Sequence, residues 1–291
     1  MSLSFSELTK AHPCFSVGAK ANRGRVHLPV SPGCNICCRF CDRQLNDIDE
    51  RPGVTSSIIT PKEAVEVVRS ALAFCPDITV AGVAGPGDAL ATPYALETFR
   101  LIGREFPGII KCMSTNGLLL PEYAREIIDV GIDALTVTVN AVDPDIQAQI
   151  CSAIVWHAKR YEGIEAAKIL IQNQLSGIQA VADAGVTVKV NTVLIPEINA
   201  QHVPQVAKTV SETGAKIYNI IPLIPQHELA WCSAPDCALL NQVRSEAEQY
   251  IKVFRHCQRC RADAVGIPGG EDFAKAIYIR PIRQENTFSH G

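Results

Sequence analysis

Cys34, Cys38 and Cys41 fall inside one short run, Pro32-Gly33-Cys34-Asn35-Ile36-Cys37-Cys38-Arg39-Phe40-Cys41. No other feature limits the chain as strongly. Three thiols this close, opened by Pro-Gly, converge only from a loop, and a loop keeps its shape only on a rigid scaffold. As thiolates they can hold three irons of a 4Fe-4S cube and leave the fourth iron open to a ligand. Cys37 adds an ambiguity, because Cys34, Cys37 and Cys41 would give the spacing C-x2-C-x3-C instead.

The scaffold is legible around that loop. From Val26 onward short apolar runs alternate with longer amphipathic segments, the pattern of repeated strand-helix units around a mostly parallel sheet. Strands are predicted at Arg25 to Val30, Ile78 to Ala81, Ile109 to Met113, Ile132 to Val139, Val186 to Leu194 and Lys216 to Ile221. Helices are predicted from Pro61, capped by Thr60, to Ala73, over Pro93 to Glu105, from near Pro121, over Val203 to Thr213, and over Cys237 to His256. A long polar and helical passage fills the interval up to Ala184. Six units predict an α/β fold, a partial (β/α)6 TIM-like barrel spanning 26–260, with an amino-terminal extension 1–25 and a carboxy-terminal extension 261–291. A closed eight-stranded barrel or a doubly wound sheet would use much the same periodicity.

Composition narrows the function. A net charge of -3 and a pI near 6.2 provide no basic field for nucleic acid. No apolar run approaches the roughly 18 residues of a membrane span, and the opening residues do not resemble a secretory signal. Twelve cysteines without such a signal point to a reducing compartment, the cytoplasm, with thiols as metal ligands rather than disulfides.

Further chemistry collects just after predicted strands, where barrel enzymes carry their sites. Gly82-Val83-Ala84-Gly85-Pro86-Gly87-Asp88 permits close backbone approach, and Asp88 could receive an ammonium group. Ser114-Thr115-Asn116-Gly117 follows the third strand. Phe40 could shield a cluster and pack near an adenine. Cys257-Gln258-Arg259-Cys260 has metal-compatible spacing, and Cys14 could add a third sulfur to form a second cluster site. Zinc held by the same pair with Cys232 and Cys237 is the structural alternative. His27 and Cys112 could face one cavity if strand alternation turns both inward, where a third soft ligand would complete another iron-sulfur unit.

The C-x3-C-x2-C loop resembles the signature of radical S-adenosylmethionine (SAM) enzymes, which favours Cys34, Cys38 and Cys41 over the alternative and turns Cys37 away as a buried thiol. The wider set resembles the NifB family of nitrogenase-cofactor assembly. It comprises His12-Pro13-Cys14, Arg25 to Val30, the cysteine loop, Glu50-Arg51-Pro52-Gly53-Val54, Ala81 to Asp88, Ser114 to Leu118, Asn191 to Asn199 and Cys257 to Ala264. The resemblance covers roughly residues 9–269. It implies an enzyme that fuses two 4Fe-4S clusters with a SAM-derived carbide and an added sulfur into the eight-iron precursor of the nitrogenase cofactor.

By that resemblance three 4Fe-4S clusters are expected: a SAM cluster on Cys34, Cys38 and Cys41, one substrate cluster on Cys14, Cys257 and Cys260, and another on His27 and Cys112. Phe40, Gly85, Asp88, Ser114, Asn116, Asn191 and Ile221 are the expected cofactor contacts. Many relatives carry a further cysteine where this chain has Asp47, so Glu50, beside Arg51, is the preferred third ligand of the last cluster. Glu50, Glu197 and Asn191 are nominated for proton transfer. Many relatives also have a carboxy-terminal carrier-like domain that this sequence does not contain. Expected partners are therefore a cluster donor scaffold, an electron donor such as ferredoxin, and a cofactor carrier or nitrogenase maturation scaffold, serving a monomer. The alternatives are a radical SAM enzyme acting on a peptide or metabolite with an auxiliary cluster, and a passive iron-sulfur scaffold.

Overall fold

A computed structural model describes residues 3–278, so residues 1–2 and 279–291, the ends of the two expected extensions, lie outside the described residues. Two short helices come first, α1 (Phe5–Ala11) and α2 (Val17–Asn22). Six parallel strands follow in sequence order: β1 (Gly24–His27), β2 (Ile78–Val83), β3 (Ile110–Thr115), β4 (Ala134–Thr138), β5 (Thr187–Leu194) and β6 (Ile217–Pro222). The sheet order is β6-β5-β4-β3-β2-β1-β7, where β7 (Val265–Gly266) pairs antiparallel with β1. This is the expected partial barrel, a curled half-barrel sheet. It extends past residue 260, because the tail returns to cover the open side of β1 rather than leaving unpaired backbone groups there.

The crossovers are α3 (Pro61–Phe74), α4 (Tyr94–Glu105), α5 (Leu120–Val130), α6 (Pro144–Ile150), α7 (Gly163–Asp183), α8 (Val203–Glu212) and α9 (Cys237–Ala247). Helix α3 starts as its sequence directs. Thr60 accepts from the Glu63 N–H while Glu63 reaches back to the Thr60 N–H, and Pro61 fills a position whose N–H would have no partner.

Strand alternation sorts two chemistries onto two faces. Ala81, Met113, Leu135, Val188 and Ile220 pack outward against the helices in the main apolar core. The intervening residues Gly82, Cys112, Ser114, Thr136, Lys189 and Asn191 line a central cavity. At the strands' amino-terminal ends Val80, Ile110, Ala134 and Ile217 form a small apolar floor with Leu8, Phe15 and Phe254. The amino-terminal extension thus plugs the barrel.

Three expectations are corrected. The cysteine segment is not loop throughout, since Ile36–Cys38 pairs antiparallel with Cys151–Trp156. That partner belongs to a hairpin with Lys159–Glu162, set between α6 and the 21-residue α7 within the long polar passage. The last long helix ends at Ala247 instead of His256, because the following residues are used at the sheet edge. Tyr218 donates to the Lys252 carbonyl at 2.8 Å and Phe254 donates to the Tyr218 carbonyl at 2.7 Å.

Candidate active site and cluster-binding cavity

The cysteine loop is gripped on two sides. The Gly87 N–H donates to the Ser31 carbonyl at 2.7 Å and the Asp88 N–H to the Gly33 carbonyl at 2.8 Å, fastening the turn after β2 to the loop. Only glycine fits there, since a Cβ on Gly87 would lie 2.0 Å from the Gly33 oxygen. On the other side the Val155 N–H donates to the Asn35 carbonyl at 2.8 Å and the Arg39 N–H to the Ile150 carbonyl at 2.9 Å.

Thus held, Cys34, Cys38 and Cys41 perturb one another. Burial pushes the Cys34 thiol up to about 12, with Asp88 and Cys41 adding to the shift and Arg43 opposing it. A bond to Cys151 together with burial raises Cys38 well above its ordinary value, with contributions from Cys41 and Cys34, and burial raises Cys41 against the pull of Arg43. Three partly buried thiols that disfavour their own anions suit a cationic cluster iron, which supplies the missing counter-charge. Cys37 instead faces Arg160 of the hairpin and is half-buried, turned as expected but not enclosed.

Asp88 and Asn116 set the loop's inner wall. The Asp88 carboxylate, 4% exposed, accepts from the Thr115 hydroxyl at 3.1 and 3.0 Å, the Asn116 N–H at 2.5 Å and the Leu90 N–H at 2.9 Å. Its lone pairs therefore fix the Ser114–Gly117 turn rather than remaining open for an ammonium group. Asn116 Nδ2 donates to Asn35 Oδ1 at 2.7 Å and lies 3.8 Å from the Cys34 sulfur. Gln174 of α7 holds the same turn, donating to the carbonyls of Asn116 and Thr138 at 2.8 and 2.9 Å. Gly85, at φ +128°, occupies the turn that leads to Pro86 on the cavity wall.

A cavity of about 340 Å³ opens along the inner face of the sheet. Phe40 and Cys41 of the loop line it, together with Ser114, Asn191 and Ile221, and so do Cys14, His27, Cys112, Cys257 and Cys260. His27 Nδ1 donates to the Arg261 carbonyl at 2.9 Å, which leaves Nε2 with the lone pair a metal requires. Burial, reinforced by Arg25, holds this ring down to about 4, so it is neutral. Gly82 makes the room, since a Cβ there would stand 3.2 Å from His27 Cδ2. Burial pushes the Cys112 thiol up to about 12, with Cys14 adding to the shift. Cys14 is itself raised by burial, with Cys260 and Cys257 adding and Lys189 opposing. Arg25 donates to the Cys260 sulfur at 3.2 Å.

Among the described residues no group of three His, Cys, Asp or Glu side chains is placed to hold a single metal ion. A cube spreads its irons and each takes its own sulfur, so thiols spaced around a cavity suit a cluster better than a mononuclear site. The zinc alternative is overturned. Cys232 is buried among Ala141, Ile150 and Leu229 and Cys237 is exposed, whereas Cys257 and Cys260 line the cavity.

The acidic residues fall elsewhere. Glu50 and Asp47 are exposed and do not line the cavity. Arg51 pairs with Asp42 at 3.2 Å and Asp49 at 3.6 Å instead of with Glu50. Arg261 anchors this loop by donating to the Asp49 and Asn46 carbonyls at 2.7 and 2.8 Å. Glu197 is also exposed and accepts from the Ser233 N–H at 2.8 Å, which leaves Asn191 as the cavity-lining member of the three residues nominated for proton transfer.

Sequence reasoning missed Lys189. Only 7% exposed, its ammonium lies 5.8 Å from the Phe15 ring centre and 5.9 Å from that of Phe254, lines the cavity, and forms no ion pair among the described residues. The available signal was a lysine on the inward phase of a strand whose outward phase, Val188, Val190, Thr192 and Leu194, carries no charge.

Residues 28–210 match the radical SAM superfamily. The chain is 46% identical over 286 residues to the FeMo cofactor biosynthesis protein NifB of Methanocaldococcus jannaschii, covering 98% of this chain and 95% of that protein. It is 42% identical over 284 residues to the protein of the same name from Methanocaldococcus infernus, covering 97% and 94%. Among solved structures, a radical SAM methyltransferase from Sphaerobacter thermophilus superposes with a TM-score of 0.61 at 18% identity, over 87% of this chain and 71% of that one, a likeness of fold.

Proposed function

The chain belongs to the NifB family within the radical SAM superfamily, and on that premise we propose that this enzyme of FeMo cofactor biosynthesis fuses two 4Fe-4S clusters, with a SAM-derived carbide and an added sulfur, into an eight-iron precursor. One observation carries the proposal. The cavity that reaches Phe40 and Cys41 of the SAM-cluster loop is also lined by four further cysteines and a histidine with a free Nε2. A radical enzyme acting on a peptide or metabolite with one auxiliary cluster would need at most four such ligands, and five metal-binding side chains face this reaction space.

Cys34, Cys38 and Cys41 would hold the SAM cluster, which when bound supplies the electron for reductive cleavage of SAM. Cys14, Cys257 and Cys260 would seat one substrate cluster, and His27 with Cys112 the other. The remaining work belongs to the protein's own groups. Asn116 orients the loop beside Cys34, Arg25 donates to the Cys260 sulfur, Lys189 offsets the charge of anionic substrates, and Phe40 and Leu223 exclude water. Among the described residues no helix is long and apolar enough to cross a membrane. We assign cluster supply, electron supply and product transfer to separate proteins: a donor scaffold, a ferredoxin-like reductant, and a carrier or maturation scaffold, all meeting a monomer in the cytoplasm.

Iron counting tests the proposal. Anaerobic reconstitution should load about twelve irons per chain, and Cys112→Ser or Cys257→Ser should each remove about four. Both variants should still form 5'-deoxyadenosine from SAM on reduction. A wild-type chain that saturates at about four irons would contradict it.

A further inference from the structure

His12 sits on the wall of the cavity with one nitrogen in use. Its ring is 2% exposed, and Nδ1 accepts the Cys14 N–H at 3.1 Å. Nε2 is buried and has no partner among the described residues. The Phe15 ring, 4.6 Å away between centres, packs against it. A backbone N–H can only donate, so Nδ1 carries the lone pair and the imidazole proton resides on Nε2. His12 therefore presents a buried, unsatisfied donor to the cavity. His27 shows the opposite arrangement, since its Nδ1 donates to a carbonyl and its Nε2 keeps the lone pair. One ring is prepared for iron and the other for an anion. Direct ligation of iron by His12 Nε2 would require either an imidazolate or loss of the Cys14 bond.

The residue that fixes the ring is also a thiol facing Cys257 and Cys260. We propose that His12 is a positioning residue whose Nε2–H donates a hydrogen bond to a sulfide of an iron-sulfur cluster seated on Cys14, Cys257 and Cys260. This rests on the reading that a cluster is seated there. A donor directed at sulfide favours the more negative, reduced cluster and so raises its reduction potential, while it also selects one orientation of the cube.

The test uses the full chain, reconstituted anaerobically, with iron counting and redox titration followed by paramagnetic resonance. His12→Phe keeps an aromatic ring and removes the donor, whereas His12→Gln restores an N–H. The expected result is an unchanged iron count, a lower potential for the Cys257-dependent signal in His12→Phe, and partial recovery in His12→Gln. An unchanged potential and line shape in His12→Phe at full iron loading would overturn the proposal. A wild-type chain whose iron count does not change in Cys257→Ser would instead overturn the cluster assignment, and the His12 proposal with it. Should both His12 variants fail to fold, a measurement that leaves His12 in place decides. With His27→Ala removing the other ring, nitrogen-labelled histidine should add a weak nitrogen coupling to the reduced Cys257-dependent cluster, and no coupling would refute the hydrogen bond.

Discussion

Gly87→Ala is a stringent probe of how the cysteine loop is held. The new Cβ would stand 2.0 Å from the Gly33 oxygen, 2.6 Å from the Gly33 carbonyl carbon and 2.8 Å from the Ser31 oxygen. All three are backbone atoms that no rotamer change can move, so the turn and the loop must separate. Separation strains the hydrogen bonds from Gly87 to Ser31 and from Asp88 to Gly33. Two such bonds at about 1 kcal/mol each, with an overpacking penalty of about 1–3 kcal/mol, give about 3–5 kcal/mol. That is a large fraction of the roughly 5–15 kcal/mol that a domain possesses. Urea denaturation of the cluster-free protein should show a lower midpoint at an unchanged slope. Iron counting after reconstitution should show loss of the SAM cluster, because the displaced segment includes Cys34. Gly18→Ala is the control, since nothing lies within 4 Å of that position in α2, and it should be neutral or stabilising. A loss of under about 1 kcal/mol in Gly87→Ala, with full iron loading and SAM cleavage, would refute the argument that this contact positions the loop.

The buried pair Arg261–Asp263, 7% and 1% exposed at 2.9 Å, makes a second prediction. Asp263→Asn leaves Arg261 buried without its counter-charge and should cost about 3 kcal/mol. Burial alone would raise the Asp263 carboxyl, but the bonds from Arg261 and Ser56 outweigh it and hold the group below its ordinary 3.8. A depressed folded value stabilises the protein above the unfolded value and is lost as pH falls through the folded value. The urea midpoint of the cluster-free wild type should therefore drop below about pH 4, and Asp263→Asn should flatten this decline. Lys189→Met should raise the stability of the cluster-free protein, because an unpaired buried cation is costly, yet lower its iron loading. Calorimetry and iron counting check the two directions, and an unchanged iron count would contradict the assigned role of Lys189.

The half-barrel was legible because its strands alternate cleanly and Thr60-Pro61 with Glu63 marks a helix start by a local hydrogen-bond pattern. The hairpin after α6 was not. Its two-residue turn places His157 and Ala158 at φ 50° and 58°, a conformation usually signalled by Asn-Gly or Asp-Gly, so nothing in the composition announces it. The end of α9 was misread for a different reason. Ile251, Val253 and Phe254 continue an apolar pattern, but they cover the sheet edge and floor, and only tertiary pairing with Tyr218 decides between these outcomes. In the site, cysteine spacing announced the loop and its neighbours. The inward direction of Lys189 follows from the phase of its strand, whereas the surface placement of Glu50 depends on loop anchoring by Arg261, which the acidic run Asp47 to Glu50 does not encode.

The central claim is that one cavity brings the SAM-cluster loop to the cysteines and histidine on the inner face of the barrel. Its most direct test is anaerobic reconstitution with iron and sulfide, reduction in the presence of methyl-labelled SAM, and isolation of the cluster product. Label retained at the centre of an eight-iron product is the predicted result. Recovery of all the labelled carbon in small molecules, with the clusters left as separate cubes, would contradict it.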